Sequence, residues 1–261
     1  MTISVAIVAM DEEANIGRTL ASVAWADEIV LVDSGSKDRT CEIARQHRAR
    51  VIVEPWRGYV AQKQYAIEQC TKDWVLLLDA DEEVSPGLAE EIRAAIAHPN
   101  AANGYELPRK NLFLGRWMKH GGFYPDPKLR LFRRGHGFVT GHDPHDRCEL
   151  KPGSTGVPPR TRQFKNALVH YTYPNLTLYI AHMNRYSSLG AELAISKGRR
   201  SFSISNIVLR PLATFIYNYF FRLGFLDGRE GLLLHLYHAV YVSWKYAKAW
   251  EMSRKPPSEA I

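Results

Sequence analysis

Cysteine is scarce: Cys41, Cys70 and Cys148 are the only three in 261 residues. An odd, scattered trio with no Cys-x-x-Cys pair excludes a disulfide framework and a structural zinc knuckle, and it points to a reducing compartment. Long apolar runs are missing as well. The opening MTISVAIVAMDEE is apolar for a few residues, then meets three acids, and has no basic lead-in. It is therefore expected to be a buried strand and not a signal peptide. Pro211–Phe221 and Leu232–Trp244 are the apolar stretches of the last quarter, and both fall short of the roughly 20 residues that span a bilayer. No G-x-G-x-x-G follows the first strand, and the loop there is acidic where a pyrophosphate wants amides, which argues against a dinucleotide-dependent oxidoreductase. Internal repeats and low-complexity tracts are absent.

What is present is an ordinary globular balance, 46% hydrophobic and 23% charged, which excludes a disordered chain, a collagen and a simple coiled coil. The net charge of +7 is unevenly placed. Residues 1–195 hold 24 Lys and Arg against 23 Asp and Glu, whereas residues 196–261 hold 10 against 4. A nucleic-acid site would not confine its excess in this way. The basic quarter is also the richest in Phe, Tyr, Leu and Trp, which is the composition of a segment lying on an anionic membrane surface. Two organisational parts follow: a main domain over 1–195 and a basic, aromatic, amphipathic helical extension over 196–261. Helices packed on protein, or on another subunit in an oligomer, are the alternative use of the extension.

The first hundred residues alternate short apolar runs with helical patterns. Ile3–Ala9, Glu28–Val32, Val51–Glu54 and Trp74–Asp79 read as strands buried on both faces. Asn15–Val23, Asp38–His47 and Tyr59–Gln69 read as helices, and a fourth opens at Ser85-Pro86, with Ser as N-cap and Pro in the first turn. The expected fold is α/β: a Rossmann-like, mostly parallel sheet flanked by helices. Such a sheet binds ligands beyond the carboxyl ends of its strands. Beyond residue 103 the texture shifts to short strands, Gly104–Pro108 and Lys128–Phe132, around the aromatic, glycine-rich stretch Trp117–Pro127.

Three of the four strands end in acids: Asp11-Glu12-Glu13, Asp33, and Asp79-Ala80-Asp81-Glu82-Glu83. Carboxylates gathered on one edge repel one another, and a divalent cation or a donor-rich ligand relieves that repulsion. The i, i+2 spacing of Asp79 and Asp81 lets one carboxylate take a hard metal such as Mg²⁺ while the other meets a sugar or ribose hydroxyl.

VAIVAMDEEANI, EIVLVDSGSKDRT, WVLLLDADEEVS, KLRLFRR and GFLDGREGLLL, in this order and spacing, resemble the family-2 glycosyltransferases of the GT-A fold, in the bacterial branch that builds lipopolysaccharide core. The resemblance implies that Glu12, Glu13 and Asp33 contact the uridine half of a nucleotide-sugar, with Ala9 and Asp11 also among the donor-binding residues. It implies that Asp79, Ala80 and Asp81 meet ribose, sugar and a Mg²⁺ or Mn²⁺ ion, with Asp81 and Asp79 as metal ligands. Lys63, Arg130 and His170 are the cations placed to meet phosphate or the leaving group. Two departures stand out: the family's Asn-Glu-Glu is Asp11-Glu12-Glu13 here, and its His-Glu is His145-Asp146.

The last departure lies in HGFVTGHDPHDRCE, residues 136–149. A dedicated histidine–metal site is disfavoured, because Gly141 and Pro144 break the helical or hairpin spacing such ligands need. Inverting transfer needs one carboxylate to take the acceptor hydroxyl's proton. The resemblance gives that role to Asp146, with Asp143 second. The implied activity moves a hexose, glucose first, from a UDP-sugar to a lipid-linked glycan such as lipopolysaccharide inner core. The implied location is peripheral, on the cytoplasmic face of the inner membrane. A polyprenyl-phosphate glycosyltransferase and a non-catalytic membrane-surface scaffold are the alternatives. Trp117–Tyr124 could stack on a sugar ring, and Asp227-Gly228 reads as a turn between two helices.

Overall fold

The computed structural model describes residues 1–142, 145–152, 159–199 and 202–254. They form two compact units: Met1–Lys110 with Pro125–Tyr171, and Asn111–Tyr124 with Thr172–Ile261. The parts expected from composition are 1–195 and 196–261; in the structure residues 111–124 and 172–195 group with the C-terminal part. The physical reason is that residues 176–196 form a helix whose apolar face is covered by the C-terminal helix.

In the first unit, β1 (Ile3–Ala9), β2 (Glu28–Asp33), β3 (Arg50–Val53) and β4 (Trp74–Asp79) run parallel, separated by α1 (Ile16–Ser22), α2 (Thr40–Gln46) and α3 (Tyr59–Glu68). β5 (Glu82–Val84) and α4 (Pro86–Ala97) follow. Ser85 caps α4 by accepting from the Leu88 N–H at 3.4 Å, with Pro86 opening the helix as its sequence requires. After β6 (Gly104–Leu107) the chain leaves the unit along β7 (Arg109–Phe113), which forms a hairpin with β8 (Arg116–Trp117). It returns as β9 (Lys128–Arg133), the hairpin of β10 (Gly137–His142) and β11 (His145–Leu150), β12 (Thr161–Gln163) and β13 (Leu168–Tyr173). The main sheet has the order β12-β6-β9-β4-β1-β2-β3 and is mixed, since β9 is antiparallel to both β4 and β6.

Both sheet faces are buried, which is why β1 and β4 read as unbroken apolar runs. Val5, Ile7, Leu76 and Leu78 pack on one side with Ile16 and Leu20 of α1 and Leu88 and Ile92 of α4. Ala6, Val30, Val75, Leu77 and Phe132 pack on the other with Ala66 and Ile67 of α3. Polar chemistry is thereby driven to the strand ends. The histidine-rich segment, expected to lack hairpin spacing, is an antiparallel hairpin in which Gly141 (φ +112°) stands opposite Asp146.

In the second unit, α5 (Leu176–Ser196) starts at Asn175, whose side chain accepts from the Leu178 N–H. Its small residues Ser187, Gly190, Ala191 and Ala194 recur at helical spacing and let α7 (Gly228–Arg254) approach closely, with Tyr246 and Ala249 buried between them. Between the two helices lies α6 (Arg210–Ile216), flanked by π-helical turns Ser205–Leu209 and Tyr217–Phe221, then a 3₁₀ turn Gly224–Asp227. The two short apolar stretches are thus one irregular helical segment and part of a 27-residue helix. Among the described residues no helix is long and apolar enough to cross a membrane.

Candidate active site

The site lies in the first unit, where β4 ends. Asp79 is the first residue past the apolar run, and strand register sets it beside Val8 of β1. Phe132 of β9 faces α3, so Arg130, two residues earlier, turns to the same side. That side receives Lys63 from α3, whose neighbours Ala66 and Ile67 fix the helix on the sheet, and Asp146 from β11, two residues before Cys148 on the same packed face.

The result is a buried ion network. Lys63 Nζ lies 2.7 Å from Asp79 Oδ1 and 2.9 Å from Asp146 Oδ2. Arg130 Nη2 lies 2.7 Å from Asp79 Oδ2 and 3.5 Å from Glu82 Oε1. Arg109 reaches Glu82 at 3.5 Å and Asp126 at 2.6 Å. The Asp79 N–H donates to Glu82 Oε2 at 2.9 Å, which closes the Asp-Ala-Asp turn on itself. His170 of β13 lies 3.2 Å from Asp81 through Nε2, and the Tyr171 N–H donates to the Asp81 carbonyl. Lys63, Arg130 and Glu82 expose 7%, 5% and 0% of their surface. Charges this deep survive only if paired, and here the chain pairs them itself. The repulsion inferred from the sequence is relieved by Lys63, Arg109, Arg130 and His170.

Protonation equilibria follow the pairing. Burial opposes ionisation of Asp79, but Arg130 and Lys63 outweigh it and hold the carboxyl well below the usual range. Burial likewise works against Asp81, and His170 reverses it, so this carboxyl is lowered too. Burial would drive the proton off His170, yet Asp81 raises the imidazole above its ordinary value. Lys63 is raised by Asp79 against the pull of burial.

The acids of the first two strand ends are joined in a different way. Asp33 accepts from the N–H groups of Gly35 and Ser36 and from the Ser36 hydroxyl. Asp11, at φ +55°, accepts from the Lys37 N–H at 2.7 Å, and Glu13 accepts from the Arg39 N–H at 3.0 Å. The Glu12 N–H donates to Thr40, and the Glu12 carboxylate takes Asn15 Nδ2 at 2.9 Å. Burial raises the Glu12 carboxyl, with Asp81 and Asp79 adding to the shift. The two acidic loops therefore staple one another. Ala9 and Ala80 contribute backbone: their carbonyls accept from the Ser34 N–H and the Thr19 hydroxyl.

The structure thus brings Lys63, Asp79, Asp81, Arg130, Asp146 and His170 together, while Asp143 lies outside the described residues. Sequence reasoning missed Arg109 and Asp126, which pair across 17 residues. Asp126 follows Pro125 in a turn at φ +38°, and nothing local marks either residue. As for a metal, Asp79 has a cation on each oxygen, whereas Asp81 and His170 set a carboxylate oxygen beside an imidazole nitrogen, which would ligate only on giving up the proton that Asp81 favours there. Such a pair fits a hard or borderline divalent ion that keeps its other positions for water and substrate oxygens. Among the described residues no cluster of three or more His, Cys, Asp and Glu side chains forms a complete cage.

Residues 4–150 match the model of glycosyl transferase family 2, and the chain belongs to that family. It is a glycosyltransferase. Over 96% of its length it is 30% identical to the lipopolysaccharide core biosynthesis glycosyltransferase LpsC of Rhizobium meliloti (strain 1021), covering 93% of that protein. It is 31% identical over 97% of its length to the uncharacterized glycosyltransferase RT0209 of Rickettsia typhi, covering 88% of it. Among solved structures it is similar over 97% of its length to 91% of S. aureus TarS 1-349 in complex with UDP, at 18% identity and a TM-score of 0.48.

Proposed function

We propose that this glycosyltransferase moves a hexose from a UDP-sugar, with inversion, to a hydroxyl of a lipid-linked glycan of the lipopolysaccharide core type. The observation that carries the reading is the convergence of Asp79, Asp81 and Asp146 with Lys63, Arg130 and His170 at one strand end. Asp81 and His170 would hold Mg²⁺ or Mn²⁺, which supplies charge neutralisation for the diphosphate. Lys63 and Arg130 bind and orient the donor's phosphates by exchanging part of their pairing with Asp79. Asp146 takes the proton of the attacking hydroxyl. The similarity to LpsC supports the acceptor class. Measuring UDP released from UDP-glucose, with and without Mn²⁺ and a heptose-containing lipid A acceptor, tests the whole. Release that needs neither metal nor acceptor would refute the assignment.

A surface of the second unit supports action at a membrane. Leu209, Leu212, Tyr217, Phe220 and Phe221 expose 53–75% of their area, on a segment bordered by the exposed Arg210, Arg222 and Arg229. Large apolar side chains exposed together on one segment suit a surface that meets a membrane or a partner, and neighbouring basic residues suit anionic headgroups. We place the protein peripherally on the cytoplasmic leaflet.

A further inference from the structure

Within the second unit, two arginines from different elements converge on one phenol. Gly198 (φ +78°) ends α5 in a left-handed turn. Its N–H donates to the Ile195 carbonyl and the Arg199 N–H donates to the Ala194 carbonyl, both at 2.9 Å, a double closure that fixes where Arg199 leaves the helix. Arg210 comes from the other side, at the start of α6. Its segment is held on α7 by the Ser243 hydroxyl, which donates to the Ile207 carbonyl at 2.8 Å. Tyr246 lies three residues further along the same face of α7, its ring buried with Ala191, Ala194 and Ala249. The Tyr246 oxygen accepts from Arg199 Nη1 at 3.0 Å and from Arg210 Nη1 at 2.6 Å.

Two guanidiniums on one hydroxyl oxygen repel each other, and Lys245 adds a third charge, its Nζ 5.6 Å from the centre of the Tyr246 ring. In the first unit the buried cations Lys63, Arg109 and Arg130 all meet carboxylates. Among the described residues Arg199, Arg210 and Lys245 have no such partner, and both arginines are exposed to solvent. A guanidinium carries five N–H donors in a planar fork, so each arginine keeps donors beyond the one given to Tyr246. Two forks meeting at one point match the several charged oxygens of a phosphate, which relieves their repulsion and takes bidentate hydrogen bonds. The flanking sequence says which phosphate. Phe202, Ile204, Val208, Leu209 and Leu212 are all exposed, and such side chains offer nothing to a free anion but a favourable surface to an acyl chain.

We infer that Arg199 and Arg210 bind the phosphate of a lipid headgroup, with Tyr246 as the residue that positions both guanidiniums and Lys245 at the edge of the site. The inference rests on the reading of this surface as the membrane face. It adds a specific contact to the general attraction of a basic rim: one phosphate bridges the end of α5 and the start of α6, and its acyl chains meet the apolar residues on either side of Arg210.

The probe is dihexanoyl phosphatidic acid below its micelle concentration, which presents a headgroup without a bilayer, titrated calorimetrically into the full chain beside inorganic phosphate. The parent protein should bind the short lipid saturably, and inorganic phosphate roughly tenfold more weakly or less, because it lacks the apolar contribution of the chains. Arg199→Gln and Arg210→Gln should each weaken lipid binding roughly tenfold, the scale of a lost hydrogen bond to a charged group. Tyr246→Phe keeps the ring in its packing but releases both guanidiniums, so affinity should fall while Tm changes little. Arg229→Gln removes the same charge from an exposed arginine outside the cluster and should leave affinity unchanged. An equal loss in Arg229→Gln, full affinity in Tyr246→Phe and both cluster variants, or inorganic phosphate binding as tightly as the lipid overturns the proposal. Sedimentation of the parent protein with anionic vesicles is measured separately. Vesicle binding without binding of the short lipid overturns this site alone, whereas bound short lipid without vesicle binding overturns the membrane reading alone.

Discussion

One ammonium holds two carboxylates from distant parts of the chain: Lys63 Nζ bridges Asp79 at the end of β4 and Asp146 on β11, at 2.7 and 2.9 Å. The Asp-Ala-Asp turn and the hairpin are thereby fixed to one another through α3. Removing a single partner from such a buried arrangement leaves uncompensated charge, which costs about 3–5 kcal/mol.

Lys63→Met should therefore lower stability by about that amount, and adding Asp146→Asn should restore part of it, because the second change removes one stranded charge. Urea unfolding of both single variants and the double variant measures the coupling. Additive losses would show that the Lys63–Asp146 contact does not hold in solution.

For catalysis the informative change is Asp146→Asn alone, which keeps shape and hydrogen bonding but removes basicity. Turnover should fall about 10²-fold or more, with UDP affinity changed little. A near-normal turnover would take the base away from Asp146 and turn attention to Asp143.

Asp81→Ala should abolish Mn²⁺-dependent UDP binding and transfer while the fold persists, since it deletes one carboxylate and spares the Lys63–Asp79–Arg130 core. His170→Asn should weaken the metal dependence without removing it. Calorimetric UDP titrations with and without Mn²⁺ read both effects, and unchanged Mn²⁺ stimulation in Asp81→Ala would dismiss the ligand assignment.

Much of this site was legible because β4 is buried on both faces, so the first acids after Leu78 had to mark a strand end. Strand and helix positions followed from the same periodicities, and Ser85-Pro86 announced α4 by its chemistry. Other features were hidden because they are long-range. Arg109 and Asp126 meet only after the insertion closes, and Asp227 finds His120 across 107 residues. Composition changes at 196, whereas the compact units divide at 172 because α5 packs with α7. The acid-rich loops suggested a ligand-side role, yet much of their hydrogen bonding joins Asp11, Glu13 and Asp33 to backbone N–H groups.

Burial pushes the His235 imidazole down to about 4, with His238 adding to the shift. The unfolded ring titrates near 6.5, so between these values the unfolded chain binds the extra proton, and stability must fall as pH drops from about 6.5 toward 4. The full effect is at most about 3 kcal/mol. His235→Phe places a ring of similar shape against Phe123 and Tyr219 and should flatten that part of the pH–Tm curve. A slope equal to that of the parent protein would mean the imidazole is solvated.

Truncation before Ser201 would strip α7 from α5 and expose their shared core, so the membrane reading is better tested by substitution. Phe220 and Phe221 are 53% and 75% exposed, and replacing both with Glu changes the surface without touching the α5–α7 seam. The parent protein should bind anionic vesicles, with part of the binding lost as salt shortens the screening length to roughly 8 Å at physiological strength. A salt-resistant part should persist from apolar burial. The double Glu variant should lose that salt-resistant part and its activity on a lipid-linked acceptor, while UDP binding, which the proposed function assigns to residues of the first unit, should stay intact. Parent protein that ignores anionic vesicles at low salt would assign the exposed aromatic face to a protein partner instead.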